Sequence, residues 1–239
     1  TEITVRITEG WRREQVAEYL DAQSEMPFSG AEFLVATGAG ASVSPGLSIA
    51  SEMPQGVSLE GFLFPDTYRI AVDATAEDFV SKILTNLDAQ LTPQLRQDAA
   101  ARGLALYEVL TLASIVEREA VVPVERPTLA SVYLYRLAIG MILEADPTVQ
   151  YAMGYQVETG QWWNLNLTQE HYHTVDSPYN TYLYPGLPPG PIASPGLSAI
   201  RAVIYPVDTP YLFFRAACDG SGRHVFAITF EEHVANECP

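Results

Sequence analysis

The chain has 239 residues, enough for one large domain or for a small domain beside a medium one, with a buried core. Its 48% hydrophobic and 18% charged residues are ordinary for a folded protein, but 29 acidic against 13 basic side chains leave a formal net charge of −16. Such a surface, with no basic cluster to offset it, repels nucleic-acid phosphates, and a single lysine, Lys82, argues against Schiff-base or P-loop chemistry. No apolar run approaches the roughly 20 residues of a membrane span, and no signal peptide is visible. Because the sequence starts at Thr1 rather than Met, the expectation is a processed or trimmed ectodomain whose anchor lies upstream.

In chain order, "EITVRIT" alternates Ile3, Val5 and Ile7 as a half-buried strand does, and "EGWRREQVAEYLDA" follows at helical spacing. A short helix is predicted from Ser29, its N-cap, towards Gly38, and the Gly-, Ser- and Pro-rich stretch 38–58 reads as a loop or linker. Helices are predicted at "TAEDFVSKILTNLDAQL" and at "TPQLRQDAAARG", the latter with Thr92 as cap and Pro93 at its first position. A third runs from about Leu104 to Val122, where Pro123 stops it, and a fourth from near Pro127 to Gly140. "DSPYNTYLYPGLPPGPIASPG" lacks periodicity and is a loop, leading to a helix with Ser194 as cap and Pro195 first. A hairpin, "YLFFRAA" and "RHVFAIT" around "CDGSG", and a short terminal helix end the chain. The expected fold is α+β, with a small strand-and-helix module over 1–56 and a larger mixed helix/sheet domain over 57–239. Cys218 and Cys238 are in no metal-ligand spacing and are either a disulfide or two free thiols.

The third helix, "LTLASIVEREA", carries Glu117 and Glu119 two positions apart, about 200° around the axis, so the two cannot work as a pair on one face. With Val109, Leu112, Ala113, Val116 and Ala120 as the core stripe, Arg118 points to solvent and the glutamates lie on opposite edges. Glu119 neighbours Leu112, Ile115 and Val116, apolar groups that remove water and raise a carboxyl pKa, as a general acid requires. Both can equally be solvated rim charges. Glu144 and Asp146 in "LEADPTVQY" are possible partner carboxylates for glycoside chemistry, although Asp146 before Pro147 also fits a helix cap. "EGFLFPDTY" sets Glu60 and Asp66 among aromatic rings, as a sugar site or a buried strand would. "HYH" at 171–173 has no further ligand at metal spacing nearby, so a surface histidine pair is expected.

Five stretches taken in order, "LEGFLFPDTY" (59–68), "LASIVEREA" (112–120), "LEADPTVQYAMG" (143–154), "SPYNTYLYPGLPPGPIASPG" (177–196) and "YLFFRAACDGSGRHVFAITFEEH" (211–233), resemble the YceG-like, or MltG, endolytic murein transglycosylases. Residues 1–56 resemble the LysM-like subdomain of the same proteins. The resemblance implies a metal-free, cofactor-free enzyme on the extracytoplasmic face of the bacterial cell membrane. Such an enzyme cuts the β-1,4 bond after N-acetylmuramic acid in nascent glycan strands and leaves 1,6-anhydro ends. It implies peptidoglycan strands as substrate, peptidoglycan synthases as further partners and no nucleic acid. The family's catalytic glutamate maps onto Glu119, and Glu60, Asp146, Tyr179, Asn180 and Tyr182 become candidates for sugar contact or cleft support. The family commonly has Gln where Glu144 stands, so the expectation is either an extra negative charge near the site, raising a nearby carboxyl pKa, or a charge that only faces solvent. A two-carboxylate glycoside hydrolase and a non-catalytic wall-binding scaffold are the rival readings.

Overall fold

The computed structural model describes residues 2–238, which form two compact units. One runs to Ser114 and includes Gly190–Leu197; the other holds Ile115–Pro189 and the chain from Ser198 onward.

In the first unit, strand β1 (Glu2–Arg6) is followed by helices α1 (Arg13–Asp21), α2 (Gly30–Ala36) and α3 (Ile49–Glu52), then strand β2 (Thr67–Ala71), α4 (Ala76–Gln90), α5 (Pro93–Ala101) and α6 (Leu106–Glu119). β1 and β2 pair antiparallel with Val5 opposite Tyr68 and Ile3 opposite Ile70, and the period-two alternation buries these four side chains together. Phe79 of α4 lies 5.8 Å from the Tyr68 ring, 5.9 Å from Phe28 and 6.0 Å from Phe33, which joins strand and helices in one core. The helix starts follow local chemistry. Ser29 with Glu32, and Thr75 with Asp78, form capping boxes, and Thr92 accepts from the Leu95 amide ahead of Pro93, each cap contributing about 0.5–2 kcal/mol.

The stretch 38–58, expected as a loop or linker, is tied into the first unit. It contains α3, whose first amides (Ser48 and Ile49) donate to Asp88 of α4, and Arg96 of α5 pairs with both Asp88 and Glu52. β1 takes its hydrogen-bond partner from β2, beyond residue 57.

In the second unit, a 3-10 turn at Pro123–Glu125 leads to α7 (Arg126–Ala138), α8 (Asp146–Met153) and α9 (Gln169–Thr174). α10 (Leu197–Ile204), the hairpin of β3 (Phe213–Ala216) and β4 (His224–Ala227), and α11 (Phe230–Ala235) complete the chain. The hairpin is anchored by Glu125, which accepts from the His224 amide and meets its Nδ1 at 2.9 Å, and a Cys218–Cys238 disulfide ties it to the segment after α11. The helix expected to start at Pro195 begins at Leu197, because the Ser194 backbone is engaged elsewhere: its amide donates to the Trp11 carbonyl and its carbonyl accepts from Gly10. Among the described residues no single helix is long and apolar enough to cross a membrane.

Gly61 sits at φ +80 where a Cβ would lie 2.2 Å from the Pro191 Cβ, whereas Gly103, at φ +75, faces open space. Gly61→Ala is expected to cost about 2–5 kcal/mol in urea unfolding, strain plus overlap, and Gly103→Ala only the strain of about 1–2 kcal/mol. Equal losses would remove the packing explanation for Gly61.

Candidate active site

From Val109 to Val116 every residue of α6 is buried, so the helix is enclosed on all sides rather than along a stripe, with Thr111 and Ser114 as its buried polar members and its charged residues returning in the last turn. There the three charged residues take three environments. Glu117 pairs with Arg126 at 2.5 Å, with side chains 5% and 9% exposed, so it is an interior ion pair and not a rim charge. Arg118, expected in solvent, lies 4.0 Å over the Trp163 ring, and burial lowers its pKa. Glu119, the last residue of the helix, keeps a half-buried side chain that no side chain among the described residues hydrogen-bonds.

Burial, with the Asp146 charge adding in the same direction, pushes the Glu119 carboxyl up to about 8. The helix C-terminus, with its partial negative charge, is itself a poor place for an anion. At neutral pH this carboxyl therefore holds its proton. Asp146 does not cap α8 as expected. It is the first helical residue, and its carboxylate turns to the tyrosines: Oδ1 accepts from Tyr182 Oη at 2.6 Å and Oδ2 from Tyr172 Oη at 3.3 Å. The two rings stack at 4.2 Å, and burial followed by the Asp146 charge pushes Tyr172 up to about 12 and raises Tyr182 further.

The loop before Asp146 is fixed from both sides. The Ala145 amide donates to Thr181 Oγ1 at 3.0 Å, Thr148 donates to the Ala145 carbonyl at 2.6 Å, and the two threonine hydroxyls meet at 2.9 Å. Glu144 adopts φ 51, a left-handed conformation rare outside glycine, with its carboxylate 3.1 Å from Arg136. The buried Arg136 also donates to the Ile142, Leu143 and Leu212 carbonyls. The extra charge at Glu144 thus meets an arginine, and the charge acting on Glu119 is that of Asp146.

The remaining candidates fall in different places. Asn180 is buried and braces its loop, donating to the Tyr172 and Val175 carbonyls and accepting from the Tyr182 amide. Tyr179 packs its ring 4.9 Å from Tyr151. Glu60 belongs to the first unit, 3% exposed, where it accepts from the Arg13 amide at the start of α1 and burial, then Glu14, pushes it up to about 8. In the "HYH" stretch, His171 Nδ1 accepts from the Thr168 amide as an α9 cap, and among the described residues no group of three or more His, Cys, Asp or Glu could hold a metal ion. Sequence reasoning missed Tyr172, seen only as the middle of two histidines, and Tyr133, hidden in the apolar face of α7.

These features describe a mixed helix/sheet protein whose candidate site is one high-pKa carboxyl beside a tyrosine-held carboxylate. The chain belongs to the YceG-like family, whose model matches residues 1–238. It is 36% identical over 176 residues to a Bacillus subtilis protein named endolytic murein transglycosylase, and 35% identical over 180 residues to one of that name from Streptococcus pneumoniae. The alignments cover 73% and 74% of this chain but 46% and 31% of those proteins, so the chain spans less than half of either. A crystal structure of a YceG-like protein from Listeria monocytogenes superposes with a TM-score of 0.82 at 31% identity, covering 98% of this chain and 76% of that one.

A carboxyl whose pKa is raised by folding binds its proton more tightly in the native state, so its stabilising contribution is full below the ordinary 4.5 and drains away as pH rises towards about 8. Glu119→Gln should therefore match the unmutated protein near pH 4 and exceed it increasingly above, by about 1–3 kcal/mol at pH 8 after allowing for partial exposure. Parallel stability curves from pH 4 to 8 would show that Glu119 is solvated like an ordinary glutamate.

Proposed function

We propose that this chain is the catalytic part of an endolytic murein transglycosylase. It cuts the β-1,4 bond between N-acetylmuramic acid and N-acetylglucosamine in nascent peptidoglycan and leaves 1,6-anhydro-muramic ends. The observation that carries this reading is Glu119: a desolvated carboxyl, raised to about 8, unbonded by other side chains and next to the Asp146 charge. A group in that state can give a proton at neutral pH. The relatives named endolytic murein transglycosylase supply the substrate class.

In the proposed reaction, protonated Glu119 donates to the glycosidic oxygen as the bond to the anomeric carbon breaks. The muramic 6-hydroxyl attacks that carbon, and the Glu119 carboxylate takes the hydroxyl proton as the anhydro ring closes. Atoms balance without water, and the tethered nucleophile replaces a second catalytic carboxylate through its effective molarity. Asp146 acts as a fixed negative charge, which raises the pKa of the acid and favours positive charge developing on the sugar. Tyr182 and Tyr172 hold it, Asn180 shapes their loop, and Tyr179 offers an aromatic surface to the glycan. Glu60 supports the first unit, whose N-terminal part we assign as a LysM-like, glycan-contacting region. The Cys218–Cys238 disulfide fits an oxidising, extracytoplasmic setting at the membrane, where peptidoglycan synthases would be neighbours.

In a two-carboxylate hydrolase, Asp146 would have to activate a water or attack carbon, yet both its oxygens already accept tyrosine hydroxyls, and Glu144 faces Arg136. Incubation with defined, un-crosslinked glycan strands and mass analysis of the products tests the reading. Internal cuts with anhydro ends are expected, and Glu119→Gln should lower the rate at least about 10³-fold, the usual scale for an essential acid-base group. Reducing ends formed by water addition would establish the hydrolase, and binding without cutting the scaffold.

A further inference from the structure

Between α8 and α9, in the second unit, the chain folds back on itself. The Gln156 amide donates to the Gln161 carbonyl at 2.7 Å, and the Gln156 side chain donates to the Met153 and Gly154 carbonyls, so residues 154–164 form a closed hairpin loop. Its base is pinned. Trp163 is buried with the Arg118 guanidinium 4.0 Å over its ring, it lies 6.4 Å from the Tyr151 ring of α8, and Gln150 of α8 donates to the Asn164 carbonyl at 2.9 Å. Arg118 immediately precedes Glu119 at the end of α6, and α8 begins with Asp146, so the loop is fixed to the two helices that carry the candidate carboxyls. Tyr151 also lies 4.9 Å from Tyr179, which continues the aromatic row towards the loop whose Tyr182 holds Asp146.

Trp162 behaves differently from its buried neighbour. It is only half-buried and pairs with Tyr155 across the hairpin, ring centroids 5.1 Å apart and tilted by 60°, and Tyr155 is 45% exposed. A braced loop thus keeps two large rings partly in water, which gives up much of the burial that makes aromatic side chains stabilising. The other side chains of the hairpin are mostly amides, a hydroxyl and one carboxylate (Gln156, Glu158, Thr159, Gln161, Asn164), and no lysine or arginine occurs from 137 to 200. An aromatic anchor for an anionic lipid surface needs cations beside it, and this stretch has none. A sugar ring asks for a flat apolar surface against its C–H face and for amide or carboxyl groups to meet its hydroxyls, and the hairpin carries both.

We propose that Trp162 and Tyr155 form a binding subsite for a sugar ring of the glycan strand, other than the two rings joined by the bond that is cut. This rests on the transglycosylase reading given above. Trp162 is tied to Glu119 through the Arg118–Trp163 stack, so a ring seated on it is held at a fixed remove from the acid. An internal cut needs such a grip, because the middle of a polymer offers no strand end to hold. A contact made away from the reacting bond is the same before and during the reaction, so it strengthens strand binding and leaves the chemical step alone.

Tyr155→Ala and Trp162→Ala should each weaken binding of un-crosslinked glycan strands about 5- to 30-fold, the scale of truncating an interfacial aromatic anchor. Calorimetry reads this in a Glu119→Gln background, which keeps the strands whole. In the active protein the same substitutions should raise KM for strands by that factor with kcat unchanged, and Trp162→Phe, which keeps a ring, should recover most of the loss. Both rings stand partly in water and the Trp163 anchor is untouched, so melting temperatures should hold; if Trp162→Ala melts lower, Tyr155→Ala and Trp162→Phe still decide. Unchanged binding and KM in both alanine variants would overturn the proposal, as would a strand that does not bind the unmutated protein. Vesicles of phosphatidylethanolamine and phosphatidylglycerol should leave the protein in solution, and sedimentation with them that the alanine variants abolish would make the hairpin a lipid anchor instead. If strands bind through these rings but are not cut, the transglycosylase reading fails and the subsite stands; if they are cut and the alanine variants bind normally, the subsite fails and the reading stands.

Discussion

The second unit is organised around an unfavourable interaction: the half-buried Glu119 carboxyl feels the charge of Asp146. Desolvation alone makes ionisation of Glu119 costly, and the neighbouring Asp146 charge adds to that cost, so Glu119 holds its proton at neutral pH. Hydrogen bonding, not residue type, distinguishes the two carboxyls. Asp146 has two tyrosine hydroxyls to spread its charge and the N-terminal turn of α8 behind it, whereas Glu119 has no side-chain donor and ends a helix at the pole that repels anions. Such a pair is how one protein can present acid and base chemistry at a single pH.

Holding that interaction needs a stiff frame, and the surrounding loops supply one. Glu144 is kept at a positive φ worth about 1–3 kcal/mol of strain, which persists because Arg136 binds its carboxylate and two carbonyls just before it. The Thr148 and Thr181 hydroxyls then lock Ala145 to the loop that carries Tyr182, so the carboxylate and its donor are set by the same short network. A bend at 144 and the clamp at 146 are therefore one device. Relaxing Glu144 to an ordinary conformation would turn the start of α8 and carry Asp146 away from the tyrosines.

Much of this was legible in the sequence where local rules govern. Ser29, Thr75 and Thr92 announce helix starts that the backbone obeys, and the apolar period of "EITVRIT" gives β1 its buried face. Period also separated Glu117 from Glu119, and their environments do differ. What periodicity could not see were partners distant in sequence. Arg126 draws Glu117 inward, Trp163 covers Arg118, and β2 binds β1 across the stretch that looked like a linker. Asp146 shows the limit most clearly. The Asp-Pro pair correctly marks the start of a helix, but the carboxylate's actual donors, Tyr172 and Tyr182, lie 26 and 36 positions away and leave no local signature.

The liabilities of the second unit also cluster. A left-handed Glu144, a carboxyl that ionises only against burial and a like charge, and the orphan hydroxyl of Tyr133 each carry a free-energy penalty that an ordinary substitution would remove. Scattered through a protein, such features would be unrelated imperfections of packing. They are concentrated on α6, α7 and the turn before α8, so they belong to one region of the second unit rather than to its packing at large. A nearby positive charge, such as one developing on a sugar ring as its glycosidic bond breaks, would turn the repulsion at Asp146 into attraction and give an ionised Glu119 a partner. Under the proposed reaction, such a corner would favour a charge-separated transition state at some cost to the resting protein, which is the physical sense in which stability would be traded for function.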